Sequence, residues 1–187
     1  MTRHLPYHTR GFTLLEVLVA LVIISIGVIG IAAMQATALA GTHTSQAESI
    51  VALEARSLAD AMLANPAYWA STNVPPSEID ITWTGTTNPT PSINNSALST
   101  GTACNSGTPC VSSDMAGYDL TQWAGELIQQ VPSATKVAIN CVIATTTVPA
   151  ACTIQVNWTQ KATAAINGGT QSNTTATNMS YTLVNQF

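Results

Sequence analysis

The chain has 187 residues, of which only 7% are charged, and its formal net charge is −4 at pH 7. An acidic, charge-poor chain lacks the basic surface that nucleic-acid binding requires, so no nucleic-acid partner is expected. No histidine lies beyond His43, so the many serine and threonine hydroxyls of the C-terminal part have no histidine base, and an enzyme is not expected.

A continuous apolar stretch dominates the N-terminal part. Phe12 to Met34 are 23 residues that contain one charge, Glu16, and no proline. A helix of this length extends ~35 Å, enough to cross the ~30 Å hydrocarbon core of a bilayer. Arg3 and Arg10 precede the stretch, so the positive-inside rule predicts a cytoplasmic N-terminus and an outer location for the rest.

Glu16 lies inside this stretch, where an unpaired carboxylate costs roughly 2.5 kcal/mol or more. A secretory signal peptide does not explain the stretch well, because the apolar run is too long and no clear small-residue cleavage site ends it. A plain single-span anchor would leave Glu16 as an accident near the interface. An acid in a membrane-length helix therefore indicates a function for this segment.

The residues around this acid form a specific short pattern. A basic leader ends at Gly11, and Phe12-Thr13-Leu14-Leu15-Glu16 then opens the apolar run. The pattern resembles the class III signal of type IV pilins and type II secretion pseudopilins. The resemblance implies that a prepilin peptidase cleaves after Gly11 and methylates the new terminus, Phe12. It also implies that Glu16 pairs with the terminal ammonium of a neighbouring subunit, with a pair to its own terminus as the alternative.

The helix is predicted to continue to Asn65-Pro66, because the residue before a proline is pushed out of the helical region. Glu54 falls within an apolar stripe on its second half. We expect its carboxylate to extend to water, with a bond to a donor in the head or in a neighbouring subunit as the alternative. The stripe predicts packing against a globular head, and its members are Ala47, Ile50, Val51, Ala55, Leu58, Ala61 and Met62.

The residues after Pro66 are rich in threonine and are predicted to form one small domain. Ile79–Thr84 alternates between apolar and polar residues and predicts a strand. Residues 85–113 contain Gly, Asn, Pro and Ser throughout and are predicted to be loop. A second helix is predicted over Asp119–Val131, with Asp119 as its N-cap and Gln122 completing a capping box.

Two further runs predict a hairpin. Placing Cys141 opposite Cys152 creates one apolar face, because Ile139 then lies opposite Ile154 and Val137 opposite Val156. Met179, Tyr181 and Leu183 predict another strand, after a polar loop over residues 163–178. The alternating residues of the hairpin are Val137, Ile139, Cys141 and Ile143 on one side and Cys152, Ile154, Val156 and Trp158 on the other.

All four cysteines follow the span, where an oxidising compartment makes disulfides the expected state. Three connectivities are possible for Cys104, Cys110, Cys141 and Cys152. We favour Cys104–Cys110 together with Cys141–Cys152. Zinc is the alternative, but no Cys-x-x-Cys spacing occurs, so neither a metal nor a cofactor is expected.

Two pairs of nearby carboxylates are candidates for calcium. Glu78 with Asp80, and Asp114 with Asp119, lie at short spacing, but neither pair belongs to a recognised calcium loop. We therefore expect these groups to be solvated surface.

Several segments of the rest of the chain are similar to minor pilins of the PilV type. They are Ala55–Pro66, Asp119-Leu120 with Trp123 and the Val131-Pro132 end, and Ile154–Trp158. The resemblance implies an α+β, lollipop-shaped fold in which a long N-terminal helix packs on an antiparallel sheet. The predicted organisation is a leader over residues 1–11, a helix over 12–66 with a transmembrane part over 12–34, and a periplasmic or extracellular head over 67–187.

The function that this resemblance implies is structural. The chain would be a minor pilin that acts in the initiation of pilus assembly, in a tip complex with other minor pilins, the major pilin and the inner-membrane assembly platform. It would lie in the inner membrane first and in the pilus at the cell surface afterwards. The alternatives are a minor pseudopilin of type II secretion, and a tip adhesin or other surface-binding module that uses the loops over residues 85–113 and 163–178.

Overall fold

The computed structural model describes residues 11–72, 74–99, 110–161 and 176–187, without the side chains of residues 36, 37, 40, 41, 43, 44 and 161. Contacts divide the chain into two compact units, Met1–Thr42 and His43–Phe187. The helices are α1 (Leu14–Ala64), α2 (Pro66–Trp69) and α3 (Ser112–Gln130). The strands are β1 (Ile79–Thr84), β2 (Thr90–Ile93), β3 (Ala134–Val142), β4 (Ala151–Lys161) and β5 (Ala176–Gln186).

The first part of α1 is long and apolar enough to cross a membrane. The window Leu14–Gln35 has a mean hydropathy of 2.9, and none of it is buried within the chain. No proline interrupts α1, which runs for 51 residues and ends at Ala64, immediately before Asn65-Pro66. The predicted end of the helix is therefore confirmed, and Pro66 opens the short helix α2.

The five strands form one antiparallel sheet in the order β2-β1-β3-β4-β5. The predicted hairpin register is confirmed, with Cys141 opposite Cys152, Ile139 opposite Ile154 and Val137 opposite Val156. Strand β1 has the predicted bounds, and β5 contains the predicted C-terminal strand. An N-terminal apolar helix followed by an antiparallel sheet confirms the predicted α+β class.

The core of the second unit lies between one face of the sheet and the helices. The second part of α1, residues 43–64, belongs to this unit. Its buried residues recur at helical spacing, so they form a single stripe that excludes water. In the helices and the sheet, the described residues with at most 1% of their surface exposed are Val51, Ala55, Leu58 and Met62 from α1, Ala116, Leu120, Ala124 and Leu127 from α3, and Ile79, Ile81, Val137, Ile139, Cys152, Ile154 and Val156 from the sheet.

The prediction that residues 85–113 form a loop is wrong at two places. Thr90–Ile93 forms β2, which pairs with β1 at the edge of the sheet, where Pro91 is tolerated because one side needs no ladder bond. Helix α3 begins at Ser112, so Asp119 lies inside the helix and is not its N-cap. The N-cap residue is Val111, whose side chain makes no capping hydrogen bond. Similarly, residues 176–178 belong to β5 instead of the predicted loop.

Close packing explains the early start of α3. A Cβ atom on Gly117 would lie 2.7 Å from the backbone oxygen of Leu98, whose side chain is fully buried. The first turns of α3 are therefore held by tertiary contact with the segment after β2, a contact that local capping signals do not encode.

Gly117→Ala is expected to destabilise the folded chain by about 1–3 kcal/mol, because the added methyl group meets backbone atoms that cannot rotate away. Gly125→Ala in the same helix is the matched control, since a Cβ there has nothing within 4 Å. That control should gain about 0.5–1 kcal/mol from helix propensity. Urea unfolding of the full chain in detergent micelles measures both; equal stabilities would contradict the packing argument.

Candidate functional site

The candidate cleavage and assembly residues lie at the start of α1. Gly11, Phe12 and Thr13 precede the helix, and 83% of the surface of Phe12 is exposed. Gly11 has open space where a Cβ would stand. An exposed peptide bond outside regular structure is the kind of site that proteases reach. The predicted bond after Gly11 is therefore accessible in this structure.

Thr13 is a residue of this segment to which the sequence analysis gave no role. Its Oγ1 accepts a hydrogen bond from the Glu16 N–H at 3.3 Å, and its backbone oxygen accepts from the N–H groups of Glu16 and Val17. Thr13 therefore caps α1 as the first half of a capping box. The Thr-x-x-Glu spacing of Thr13 and Glu16 is the local sequence signal for this cap.

The Glu16 carboxylate is exposed in the first turn of α1, where the helix dipole favours a negative charge. In a complete capping box this carboxylate would accept a bond from the Thr13 N–H. Among the described residues the structure forms only the opposite bond, from the Glu16 N–H to the Thr13 side chain. Glu16 is exposed, so its carboxylate is accessible to a partner.

Glu54 is buried, and the expectation that its carboxylate extends to water is wrong. Only 8% of its surface is exposed, and its Oε1 accepts a hydrogen bond from Gln130 Nε2 at 2.6 Å. Its backbone oxygen accepts from Trp123 Nε1 at 2.9 Å. The alternative, a donor in the head, is correct, because α3 packs over this part of α1. Burial, followed by the nearby charge of Glu126, raises the pKa of Glu54, and the bond from Gln130 opposes the rise.

Two buried asparagines form hydrogen bonds that fix α1 and the residue after its C-terminal end. Asn185 Nδ2 of β5 donates to the Ala59 oxygen at 3.0 Å, and Asn65 Nδ2 donates to the Ser112 oxygen at 2.7 Å. Amides in these positions replace the water that burial removes from backbone carbonyls. They connect α1 with β5 and with the first residue of α3.

The Glu78 and Asp80 carboxylates bind a lysine. Lys136 Nζ lies 2.8 Å from Glu78 Oε1 and 2.8 Å from Asp80 Oδ1, while Asn140 Nδ2 donates to Glu78 Oε2 at 2.7 Å. The hydrogen bond from Lys136 is the main cause that lowers the pKa of Glu78. Within the described part of the chain, no three His, Cys, Asp or Glu residues are grouped so as to hold a metal.

The cysteines are placed only in part. Cys141 and Cys152 form a disulfide between directly opposed residues of β3 and β4, with a Cα–Cα distance of 4.0 Å. Cys104 lies outside the described residues, so the Cys104–Cys110 pair stays a prediction. Asp114 and Asp119, the second candidate calcium pair, lie in α3, where burial raises the pKa of Asp119.

Together, these features define an α+β protein whose N-terminal apolar helix fits single-pass membrane anchoring. The prokaryotic N-terminal methylation motif matches residues 7–32, and this motif indicates a type IV pilin-like or pseudopilin protein. Proteins with this motif are generally structural and not enzymatic. The motif implies processing by a prepilin peptidase and assembly with pilin and membrane machinery. Among curated proteins and solved structures there is no match.

Glu54→Gln is expected to stabilise the folded chain at neutral pH, by on the order of 1 kcal/mol or less, since the neutral amide keeps an acceptor for Gln130. The folded pKa of Glu54 is raised above its unfolded value, so the folded state binds the proton more tightly. Its contribution to stability is therefore largest below the unfolded pKa of ~4.3 and is lost as the pH rises through the folded pKa.

The measurement is the free energy of unfolding in urea between about pH 4 and pH 8 for the wild type and Glu54→Gln. Glu48→Gln, at an exposed position of the same helix, is the control and should keep the wild-type slope. An unchanged slope in Glu54→Gln would show that the Glu54 carboxylate is solvated in the folded chain.

Lys136→Met is expected to raise the pKa of Glu78, because the variant removes its principal hydrogen-bond donor. Lys136→Arg should keep most of the wild-type pKa because it retains a cation. Carbon NMR of the Glu78 carboxyl group across a pH titration measures the effect. The interpretation fails if the titration of Glu78 is the same in the wild type and Lys136→Met.

Proposed function

We propose that this chain is a minor pilin of the type IV pilus, of the PilV type, that takes part in initiating pilus assembly. The observation that carries the proposal is the methylation motif over residues 7–32, joined to a helix of membrane-spanning length. In this proposal residues 1–11 are a leader, residues 12–34 lie in the inner membrane and residues 67–187 form a periplasmic head.

Cleavage after Gly11 would make Phe12 the new terminus, and methylation would keep its nitrogen basic. The accessible position of Gly11 and Phe12 before α1 supports this step. Thr13 caps the helix with its own side chain, so Glu16 is not needed for that task. The Glu16 carboxylate can then pair with the terminal ammonium of a neighbouring subunit, and the pair neutralises a charge that lipid cannot solvate.

The proposed partners follow from this chemistry. A prepilin peptidase processes the leader, and the head then assembles with other minor pilins and the major pilin above the inner-membrane platform. The scarcity of charge on the chain supports lateral contact between subunits through apolar and hydrogen-bonding surfaces. The final location is the pilus at the cell surface.

Glu16→Gln is expected to leave cleavage after Gly11 intact and to reduce incorporation into fibres more than roughly a hundredfold. The reason is that an ammonium without its carboxylate partner costs ~3 kcal/mol or more in an apolar setting. Mass spectrometry of the N-terminus and immunoblots of sheared fibres measure the two steps. Gly11→Val is the control for processing and should keep the leader. Fibres with the wild-type content of Glu16→Gln would contradict the pairing.

A deletion in a strain that cannot retract pili tests the role in assembly. Lost fibres with normal secretion of enzymes would establish a minor pilin that initiates assembly. Lost secretion with normal fibres would assign the chain to the type II system, whose pseudopilins share the same signal. Normal fibres and normal secretion would contradict both roles.

A further inference from the structure

The two edges of the sheet differ in their protection against further pairing. Strand β2 has four residues and contains Pro91, which removes a backbone donor. Strand β5, at the opposite edge, has 11 residues with neither a proline nor a charged residue. Proteins usually protect long edges with such residues, because an unprotected edge pairs with other chains. Among the residues that the structure describes, no strand pairs with the outer side of β5, and this free edge requires an explanation.

The backbone groups that this edge offers follow from the pairing with β4. The Phe187 N–H donates to the Ala150 oxygen at 3.0 Å, next to the register pair of Ala151 with Gln186. Hydrogen-bonded residues alternate along an antiparallel strand, so the odd-numbered residues of β5 bond to β4. The N–H and C=O groups of Ser180, Thr182 and Val184 consequently point away from β4.

A groove with a mixed, mainly apolar lining lies beside the same part of β5. It has a volume of about 660 Å³ and runs between β5 and the second part of α1. Tyr181 and Leu183 contribute the strand side, and both are half-buried. On the helix side Leu53 is 68% exposed, and Val184 on the other face of β5 is 61% exposed. A chain bound along the edge would bury apolar surface on both of its faces.

The charges around the groove indicate the chemistry of its occupant. Arg56 and Asp60 line the helix side one turn apart, so their opposite charges cancel, and β5 adds no charge. A charged side chain bound on the apolar wall would lose water without gaining a net opposite charge. An uncharged segment with apolar residues at alternate positions matches both the wall and the period of a strand.

We propose that the free edge of β5 and the groove beside it bind an extended, uncharged segment of another protein chain, which adds a strand to the sheet. Backbone hydrogen bonds to Ser180, Thr182 and Val184 supply affinity, and apolar side chains that enter the groove next to Tyr181, Leu183 and Leu53 supply selectivity. This binding activity goes beyond the proposed role in pilus assembly and does not depend on it.

The test uses the full chain in detergent micelles and a short capped peptide in which valine alternates with threonine. We expect the peptide to bind and to slow hydrogen exchange of the Thr182 and Val184 amides at least about tenfold, or ~1.4 kcal/mol. The same peptide with glutamate in place of valine, the residue that enters the groove, should bind at least about tenfold more weakly, for the same free-energy difference. The readout at these two amides distinguishes strand addition from binding elsewhere.

Two variants close the edge in different ways. Val184→Lys places a charge on the edge strand, which disfavours pairing with another strand. Thr182→Pro removes a backbone N–H that points away from β4 and would otherwise bind the peptide. Each should weaken peptide binding about tenfold or more. Gln155→Lys is the matched control, because Gln155 lies opposite Thr182 on β4, away from the edge, and this variant should bind like the wild type.

Several outcomes would overturn the proposal. Absence of binding, or binding that leaves the exchange of Thr182 and Val184 unchanged, would contradict strand addition. Protection of these amides in the peptide-free chain would mean that the chain covers its own edge. Protection that grows with protein concentration alone would assign the edge to a second copy. Equal binding by Val184→Lys, Thr182→Pro and the wild type would also exclude the edge.

Discussion

The second unit depends on how the second part of α1 is held against the sheet. Its apolar stripe excludes water, but a smooth stripe alone would let a helix slide or rotate, because burial has no preferred direction. Two carbonyl oxygens of α1, at Glu54 and Ala59, accept hydrogen bonds from Trp123 of α3 and Asn185 of β5. Each bond contributes only about 1 kcal/mol net, yet an unpaired buried donor would cost more, so the two bonds set the position of the helix.

The elements that could be predicted are those that are determined by residues close together in the sequence. Strand β1 and the β3–β4 hairpin follow from strict alternation, and register follows from keeping apolar residues on one face. The N-terminal methylation motif is also local, because its match covers the continuous residues 7–32. The end of α1 was predictable for the same reason, since Pro66 acts on its immediate neighbour.

The features that could not be predicted depend on distant partners. Strand β2 is short and contains Pro91, and only its pairing with β1 identifies it. The start of α3 depends on the contact of Gly117 with Leu98, although several serines and aspartates offered equally good caps. Glu54 and Glu78 find Gln130 and Lys136 across 76 and 58 residues of sequence, so no local pattern could assign their partners.

The position of the Cys141–Cys152 bond decides how the second unit would respond to tension. Both cysteines belong to one hairpin and are separated by 11 residues, so the bond strengthens β3 and β4 against each other but joins neither strand to α1. A pull along α1 would therefore be resisted by the apolar stripe and by the bonds to Trp123 and Asn185, which lie on two flanks of the helix. These contacts would separate before the hairpin opens, so the helix and the hairpin would yield as distinct mechanical elements.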